Sequence, residues 1–111
     1  MEFSAAGKAD RTGSDSRAQL RQRSKRLFGN ADRLEVALAV AESSGLVHAQ
    51  ELADRLRISP PRVRAQLLAF VEAGVMRVLP RDGLRQNYER IDDPFWSMIT
   101  DLVPRWRKHA G

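Results

Sequence analysis

Cysteine is absent from the 111 residues, which excludes disulfides, thiolate metal sites and thiol redox chemistry. No apolar run approaches the roughly 18 residues of a membrane-spanning helix, and the first residues lack the hydrophobic segment of a secretory signal. We therefore expect a cytoplasmic protein without membrane association. The length allows one domain with a single modest core.

The signatures of enzymes and metal sites are also missing. There is no Gly-rich phosphate loop, and no order of Ser, His and Asp can be placed on a fold. The two histidines, His48 and His109, lie far apart in the chain, and a metal site needs several ligands that converge. The sequence predicts no catalytic residue, no metal and no cofactor.

What the chain does have is an excess of positive charge. Lys and Arg number 19 against 14 Asp and Glu, giving a net charge of +5. Such a balance favours a polyanionic partner, although many small basic proteins bind none. Residues 1–15 are small and polar, and we expect them to form a disordered tail.

Residues 16–28 carry no acid, and three interpretations of them remain open. They form a basic helix that packs on the body, an arm that orders on DNA, or a solvated run of charge. The basic residues that would contact DNA in the arm are Arg21, Arg23, Lys25 and Arg26.

The most informative stretch is residues 47–75. Apolar residues at helical spacing predict one short helix from Ala49 to Leu56. Ser59 as a cap and Pro60 at the first position predict a second helix that begins within a few residues and ends at Ala73 and Gly74. Its buried stripe is Val63, Leu67, Phe70 and Val71.

Two helices joined by so short a turn form a helix-turn-helix, whose second helix enters the DNA major groove. Arginine binds guanine, glutamine binds adenine, and alanine contacts the thymine methyl. An ordinary helical hairpin with a solvated basic face is the competing interpretation. The predicted DNA contacts of this helix are Ser59, Pro61, Arg62, Arg64, Ala65 and Gln66.

Beyond Gly74 the apolar pattern alternates, which predicts a β-hairpin over about residues 75–91 with a turn at 80–83. Arginine is attracted to a narrow minor groove, so Arg77, Arg81 and Arg85 are predicted to contact DNA. They would otherwise solvate an edge hairpin.

The helices on either side are unusually apolar. Residues 31–43 are apolar around much of the predicted helix, and residues 94–106 crowd aromatic and aliphatic side chains together. Pro104 is expected to kink or end the last helix and leave a basic tail. Core packing within one chain accounts for about half of these side chains, but we predict a dimer interface made by Leu34, Leu38, Phe95, Trp96, Ile99, Leu102 and Trp106.

From about Asn30 to Leu102 the chain resembles the winged helix-turn-helix transcriptional regulators of the ArsR and MarR type. The most specific part runs from Glu51 to Gly74. The resemblance implies a mainly α fold with a small β-hairpin, in a domain over residues 29–111. It places the recognition positions on Pro61, Arg62, Arg64, Ala65 and Gln66 and the wing on residues 81–85.

One departure concerns the turn. Many members of these families carry glycine where this chain has Arg57, and a left-handed arginine costs on the order of 1 kcal/mol. Either the turn is built differently or Arg57 reaches a phosphate.

The sequence therefore predicts a bacterial-type regulator, not an enzyme, that binds specific double-stranded DNA as a homodimer. The alternative is a winged-helix module that binds proteins, with the last helix as a possible docking surface for a protein partner.

Overall fold

The computed structural model describes the backbone of residues 5–110 and the side chains of residues 16–106. The strands in this part of the chain form one antiparallel sheet, in which the last of the three strands in the sequence lies between the other two. The predicted mainly α fold with a small hairpin is confirmed. In chain order the elements are α1 (Ala5–Phe28), α2 (Arg33–Glu42), β1 (Leu46–His48), α3 (Ala49–Leu56), α4 (Pro60–Glu72), β2 (Met76–Val78), β3 (Asn87–Arg90) and α5 (Pro94–Ala110).

The helix-turn-helix forms with the predicted boundaries, but its caps differ from the expectation. The His48 Nδ1 accepts a hydrogen bond of 3.4 Å from the backbone N–H of Glu51 at the start of α3. Ser59 makes no side-chain capping bond at the start of α4. The reason is that Pro60 and Pro61 lack the N–H groups of the first two helical positions, which leaves the hydroxyl fewer donors to accept from.

Arg57, in the turn between these helices, adopts the left-handed conformation with φ 58° and ψ 47°. Its backbone N–H donates to the carbonyl of Ala53. The turn is thus built as it would be with glycine, and the arginine carries a steric cost of about 1 kcal/mol.

Helix α2 is the central element of the core. Every residue from 34 to 40 is buried, because α1, α4 and α5 of the same chain surround the helix. Leu34 and Leu38, together with Trp96 and Ile99 of α5, are less than about a tenth exposed. These four were predicted at a dimer interface, and that prediction is wrong because they pack inside one chain.

Helix α5 fixes the end of the fold against the sheet. The Asp93 Oδ1 accepts a hydrogen bond of 2.8 Å from the backbone N–H of Phe95 and caps the helix. The Trp96 Nε1 donates to the carbonyl of Val75 at 3.1 Å. The helix continues through Pro104 to Ala110, so of the two expected effects of this proline, a kink or an end, the end does not occur. The carbonyl that loses its partner belongs to Thr100, which is exposed, so water can replace the lost bond.

Helix α1 is a basic helix packed on the body, one of the three interpretations of residues 16–28. Leu20 is buried, and the buried Ser24 Oγ accepts from Leu34 N at 3.0 Å and donates to Asn30 O at 2.6 Å. The helix begins at Ala5, so the backbone of residues 5–15, expected to be disordered, extends it; propagation adds one hydrogen bond per residue once a helix is nucleated. Residues 1–4 and Gly111 lie outside the described residues.

None of the described helices combines the length and the apolar character that crossing a bilayer requires.

Candidate nucleic-acid interface

Helix α4 has two flanks with different surroundings. An α-helix turns about 100° per residue, so Arg62 and Arg64 lie about 200° apart around its axis. The exposed stripe between them contains Pro61, Ala65 and Leu68. The opposite, buried stripe is made of Val63, Gln66, Leu67 and Phe70.

On the first flank Arg62 is bound to an acid of the same chain. Its Nε donates to Asp32 Oδ2 at 2.9 Å and its Nη2 donates to Asp32 Oδ1 at 2.6 Å. The Arg62 side chain is 52% exposed, whereas that of Asp32 is only 8% exposed. Hydrogen bonds from Arg62, and then from Arg21, hold the pKa of Asp32 below its usual value although burial opposes this.

Further ion pairs continue from Asp32 into α1 and α3. The Arg21 Nη1 lies 2.8 Å from both Asp32 Oδ1 and Glu35 Oε1. The Arg17 Nε donates to Glu35 Oε2 at 2.7 Å, and its Nη2 donates to the carbonyl of Leu56 at 2.8 Å. We call this set, Arg17, Arg21, Asp32, Glu35 and Arg62, the charge network. It joins α1, α2, α3 and α4 around two buried carboxylates.

Gln66 is inside the fold rather than on the exposed stripe of α4. The residue is 2% exposed, and its Oε1 accepts a hydrogen bond of 2.7 Å from Arg33 Nε. The prediction that Gln66 contacts a base is therefore wrong in this conformation. The sequence held the signal, because Gln66 lies three residues after Val63 and four before Phe70, on their buried stripe.

On the second flank Arg64 lies on an open groove between α4, the start of α3 and the hairpin. The groove has a volume of about 790 Å³, and its lining includes Arg64, Arg81 and Arg85 with His48 and Gln50. All three arginines are exposed. None of them forms an ion pair with another described side chain. We call this surface the arginine groove.

The tip of the hairpin holds two of these arginines in a defined turn. The backbone groups of Asp82 and Arg85 form two hydrogen bonds of 3.0 and 3.1 Å. Gly83 between them has φ 65°, which favours glycine. Arg81 and Arg85, at this turn, both line the arginine groove together with Arg64 of α4.

The other arginines of the hairpin have different roles. Arg77 of β2 pairs with Glu89 of β3 at 3.2 Å, and both side chains are exposed. Arg90 of β3 donates from Nη1 to the carbonyls of Val40 and Ala41 at 2.8 and 2.9 Å. It thereby binds the last turn of α2. A local sequence pattern does not predict a contact between residues about fifty positions apart.

The four residues predicted as a DNA-binding arm are not equivalent in the structure. Arg21 belongs to the charge network, and the Arg23 guanidinium lies 4.5 Å from the ring centroid of Trp106. Lys25 and Arg26 are exposed near the end of α1. The structure does not bring these residues together with the arginine groove, none of whose lining residues belongs to α1.

No family model and no curated protein matches the sequence. The fold, however, is similar to solved structures of MarR-type transcription regulators. A MarR-family transcriptional regulator from Silicibacter pomeroyi aligns with a TM-score of 0.69 at 15% identity, over 96% of this chain and 70% of that one. MepR, a transcription regulator of the Staphylococcus aureus multidrug efflux pump MepA, aligns with a TM-score of 0.67 at 10% identity, over 96% of this chain and 82% of that one.

Wild-type MarR from E. coli in its apo form aligns with a TM-score of 0.68 at 14% identity, over 99% of this chain and 84% of that one. At such identities the likeness concerns the fold. The chain has the winged helix-turn-helix fold of MarR-type regulators, in which α3 and α4 are the helix-turn-helix and β2 and β3 form the wing.

Proposed function

We propose that the protein is a transcription regulator that binds double-stranded DNA, with α4 in the major groove and the wing on the adjacent minor groove or backbone. The observation that carries this proposal is the arginine groove. Three guanidiniums that pair with none of the described acidic side chains converge there from α4 and the wing tip, and phosphates are the ligands that such a surface favours.

Within this proposal the residues that read bases lie along the exposed stripe and the second flank of α4. Arg64 would bind guanine, and Ala65 would contact a thymine methyl. Ser59 and Pro61, both exposed at the start of the helix, would lie against the sugar-phosphate backbone. Arg81 and Arg85 would bind phosphates or enter the minor groove.

We also propose that the protein binds DNA as a homodimer through α1 and α5. Leu27 and Phe28 at the end of α1 and Met98 on α5 are 60%, 41% and 47% exposed, and partly buried Leu102 and Trp106 lie on the same pair of helices. A symmetric dimer would present its two α4 helices to half-sites one helical turn apart, about 10 base pairs. Such a regulator would act in the cytoplasm as a binding protein without catalysis.

Sedimentation of a Leu27→Asp variant tests the dimer. Its matched control is Leu84→Asp, because Leu84 at the wing tip is 98% exposed and lies away from α1 and α5. We expect the first variant to shift toward monomer mass and the second to keep the dimer. A wild-type protein that sediments as a monomer would contradict the proposal and leave this surface to a different protein partner.

Selection of bound duplexes from a random pool tests DNA binding and its symmetry together. On a selected duplex, log K should fall with log salt by about 0.9 per phosphate contact. Arg81→Ala and Arg85→Ala should each weaken binding to all sequences alike and make this slope shallower. A protein-interaction module would select no duplex and show little affinity at any salt concentration, an outcome that rejects the proposed function.

A further inference from the structure

The turn between α3 and α4 contains an arginine in a conformation that favours glycine. Arg57 has φ 58°, and the other described residues with positive φ are Gly29, Gly45, Gly74 and Gly83. The chain therefore uses glycine at four such positions and arginine at one. A side chain in this region crowds its own backbone, and strain of this kind persists where the surrounding structure holds it and is enriched at functional sites.

The hydrogen bonds that close the turn do not involve the Arg57 side chain. The turn is closed by backbone hydrogen bonds from Arg57 and Ile58 to the carbonyl of Ala53, and glycine makes the same bonds. The buried Ile58 and the bond from Arg17 to Leu56 O hold the turn from both sides. The position is thus rigid without help from the Arg57 guanidinium.

That guanidinium is also free to bind a ligand. Arg57 is exposed, and it forms no ion pair with any side chain in the described part of the protein. In this respect it resembles the three arginines of the arginine groove and differs from those of the charge network. An exposed guanidinium on a rigid backbone is suited to bind an oxyanion through two parallel hydrogen bonds.

The position of the turn indicates which oxyanion is bound. In a helix-turn-helix on DNA the first helix crosses the sugar-phosphate backbone while the second enters the major groove. The turn from α3 to α4 then passes the edge of the groove, beside the phosphates. We propose that Arg57 is a phosphate-contact residue that holds the DNA backbone at this turn, an inference that rests on the proposed function. Such a contact fixes the docking of α4 without reading sequence.

Three substitutions in the full chain test the proposal. Arg57→Gly and Arg57→Asn remove the charge while suiting the left-handed backbone, and Arg57→Lys keeps the charge. Thermal unfolding and duplex affinity at several salt concentrations are measured for each. The matched control is Arg105→Ala, which removes the same charge from the exposed face of α5, where its partner is Asp101.

We expect the substitutions to reduce duplex affinity without reducing thermal stability. Neither Arg57→Gly nor Arg57→Asn should lower the melting temperature, because the turn keeps its backbone bonds and loses its strain. Both should weaken duplex binding roughly 60-fold at 0.1 M salt and make the salt slope shallower by about 1.8, because each subunit of the proposed dimer loses one phosphate contact. Arg57→Lys should retain most of the slope, and Arg105→Ala should leave it unchanged.

Two results would overturn the inference while leaving the proposed function intact. The first is that Arg57→Gly keeps the duplex affinity and salt slope of the wild type while Arg64→Ala loses affinity. The second is that Arg57→Lys loses as much duplex affinity as Arg57→Gly. A wild-type protein without salt-dependent duplex binding would overturn both this inference and the proposed function.

Discussion

Arg62 and Arg64 lie two residues apart on the same helix, yet one belongs to a closed charge network and the other to an open groove. The difference comes from the neighbouring elements. Asp32 lies beside the first flank of α4 and binds Arg62 through two hydrogen bonds, whereas the wing brings two more arginines to the second flank. Positive charge on the second helix of a helix-turn-helix therefore does not by itself identify a candidate DNA-binding residue.

The ion pairs on the first flank of α4 hold the helix in place, and with it the second flank that carries Arg64. Two buried carboxylates and three guanidiniums connect four helices, so α4 is fixed relative to α1 and α2. Buried ion pairs of this kind contribute little beyond what apolar residues would, but removing one member leaves an uncompensated charge. Substitutions on the two flanks should consequently affect different properties.

The largest effect is expected from Asp32→Ala. The change removes the carboxylate that binds Arg62 and one of the two carboxylates that bind Arg21. Because both guanidiniums stay partly exposed, the loss should be about 2–3 kcal/mol of folding free energy. Urea denaturation measures the loss. Asp101→Ala is the control, because its ion pair with Arg105 is exposed and should contribute less than about 0.5 kcal/mol. Equal losses in the two variants would show that the charge network is not a structural element.

Protonation of Asp32 should reduce the free energy of unfolding by less than Asp32→Ala does, because the side chain keeps its shape. The hydrogen bonds from Arg62 lower the pKa of Asp32 in the folded state. The contribution of the Asp32 carboxylate to folding stability is therefore present above the ordinary pKa of an aspartate, about 4. It is lost as the pH falls through the lowered value. We expect the free energy of unfolding of the wild type to decrease below about pH 4 more steeply than that of Asp32→Asn. Parallel curves for the two proteins between pH 6 and pH 2 would contradict this assignment.

Arg64→Ala should change DNA binding and leave the fold intact. Loss of a guanidinium from the arginine groove should cost about 1–3 kcal/mol of affinity on a selected duplex and relax base preference at one position. Its folding free energy should stay within about 0.5 kcal/mol of the wild type, since Arg64 is exposed and unpaired among the described side chains. Wild-type affinity in this variant would remove the second flank from the DNA interface.

Arg62→Ala should show the reverse pattern. Its hydrogen bonds to Asp32 are charge-assisted, but the half-exposed side chain limits their contribution to about 1–2 kcal/mol of folding free energy. Asp32 keeps its bond from Arg21, so the loss should be smaller than in Asp32→Ala. Base preference, measured by repeating the duplex selection, should stay unchanged. A changed preference would mean that Arg62 leaves Asp32 to contact DNA.

The helices and hairpin could be predicted from the sequence because their signals are local. Pro60 at the start of α4, the apolar spacing of Val63, Leu67 and Phe70, and the turn chemistry at residues 80–83 all act within a few residues. The sequence-based assignment grouped Arg62, Arg64 and Gln66 as DNA contacts. The helical period of about 100° per residue places the two arginines on different flanks of α4 and Gln66 on the buried stripe.

The partners of buried charges could not be predicted in this way. Asp32 and Arg62 are thirty residues apart and Arg90 lies fifty residues from Val40, so only the assembled fold brings these groups together. The same limit applies to Leu34 and Leu38. An apolar helix surface shows that something covers it, and its sequence does not distinguish the same chain from a partner chain.

The smallest effect is expected at Arg77, which sharpens the comparison within the wing. Arg77 is exposed and paired with Glu89 across the strands, a contact that contributes about 0–1 kcal/mol. Arg77→Ala should therefore lower stability by less than about 1 kcal/mol and leave the salt slope of duplex binding near that of the wild type. Glu89→Ala is the matched variant, because it frees the guanidinium without removing it. If Arg77 does bind a phosphate, as the sequence predicted, Arg77→Ala will make the slope shallower and Glu89→Ala will make it steeper.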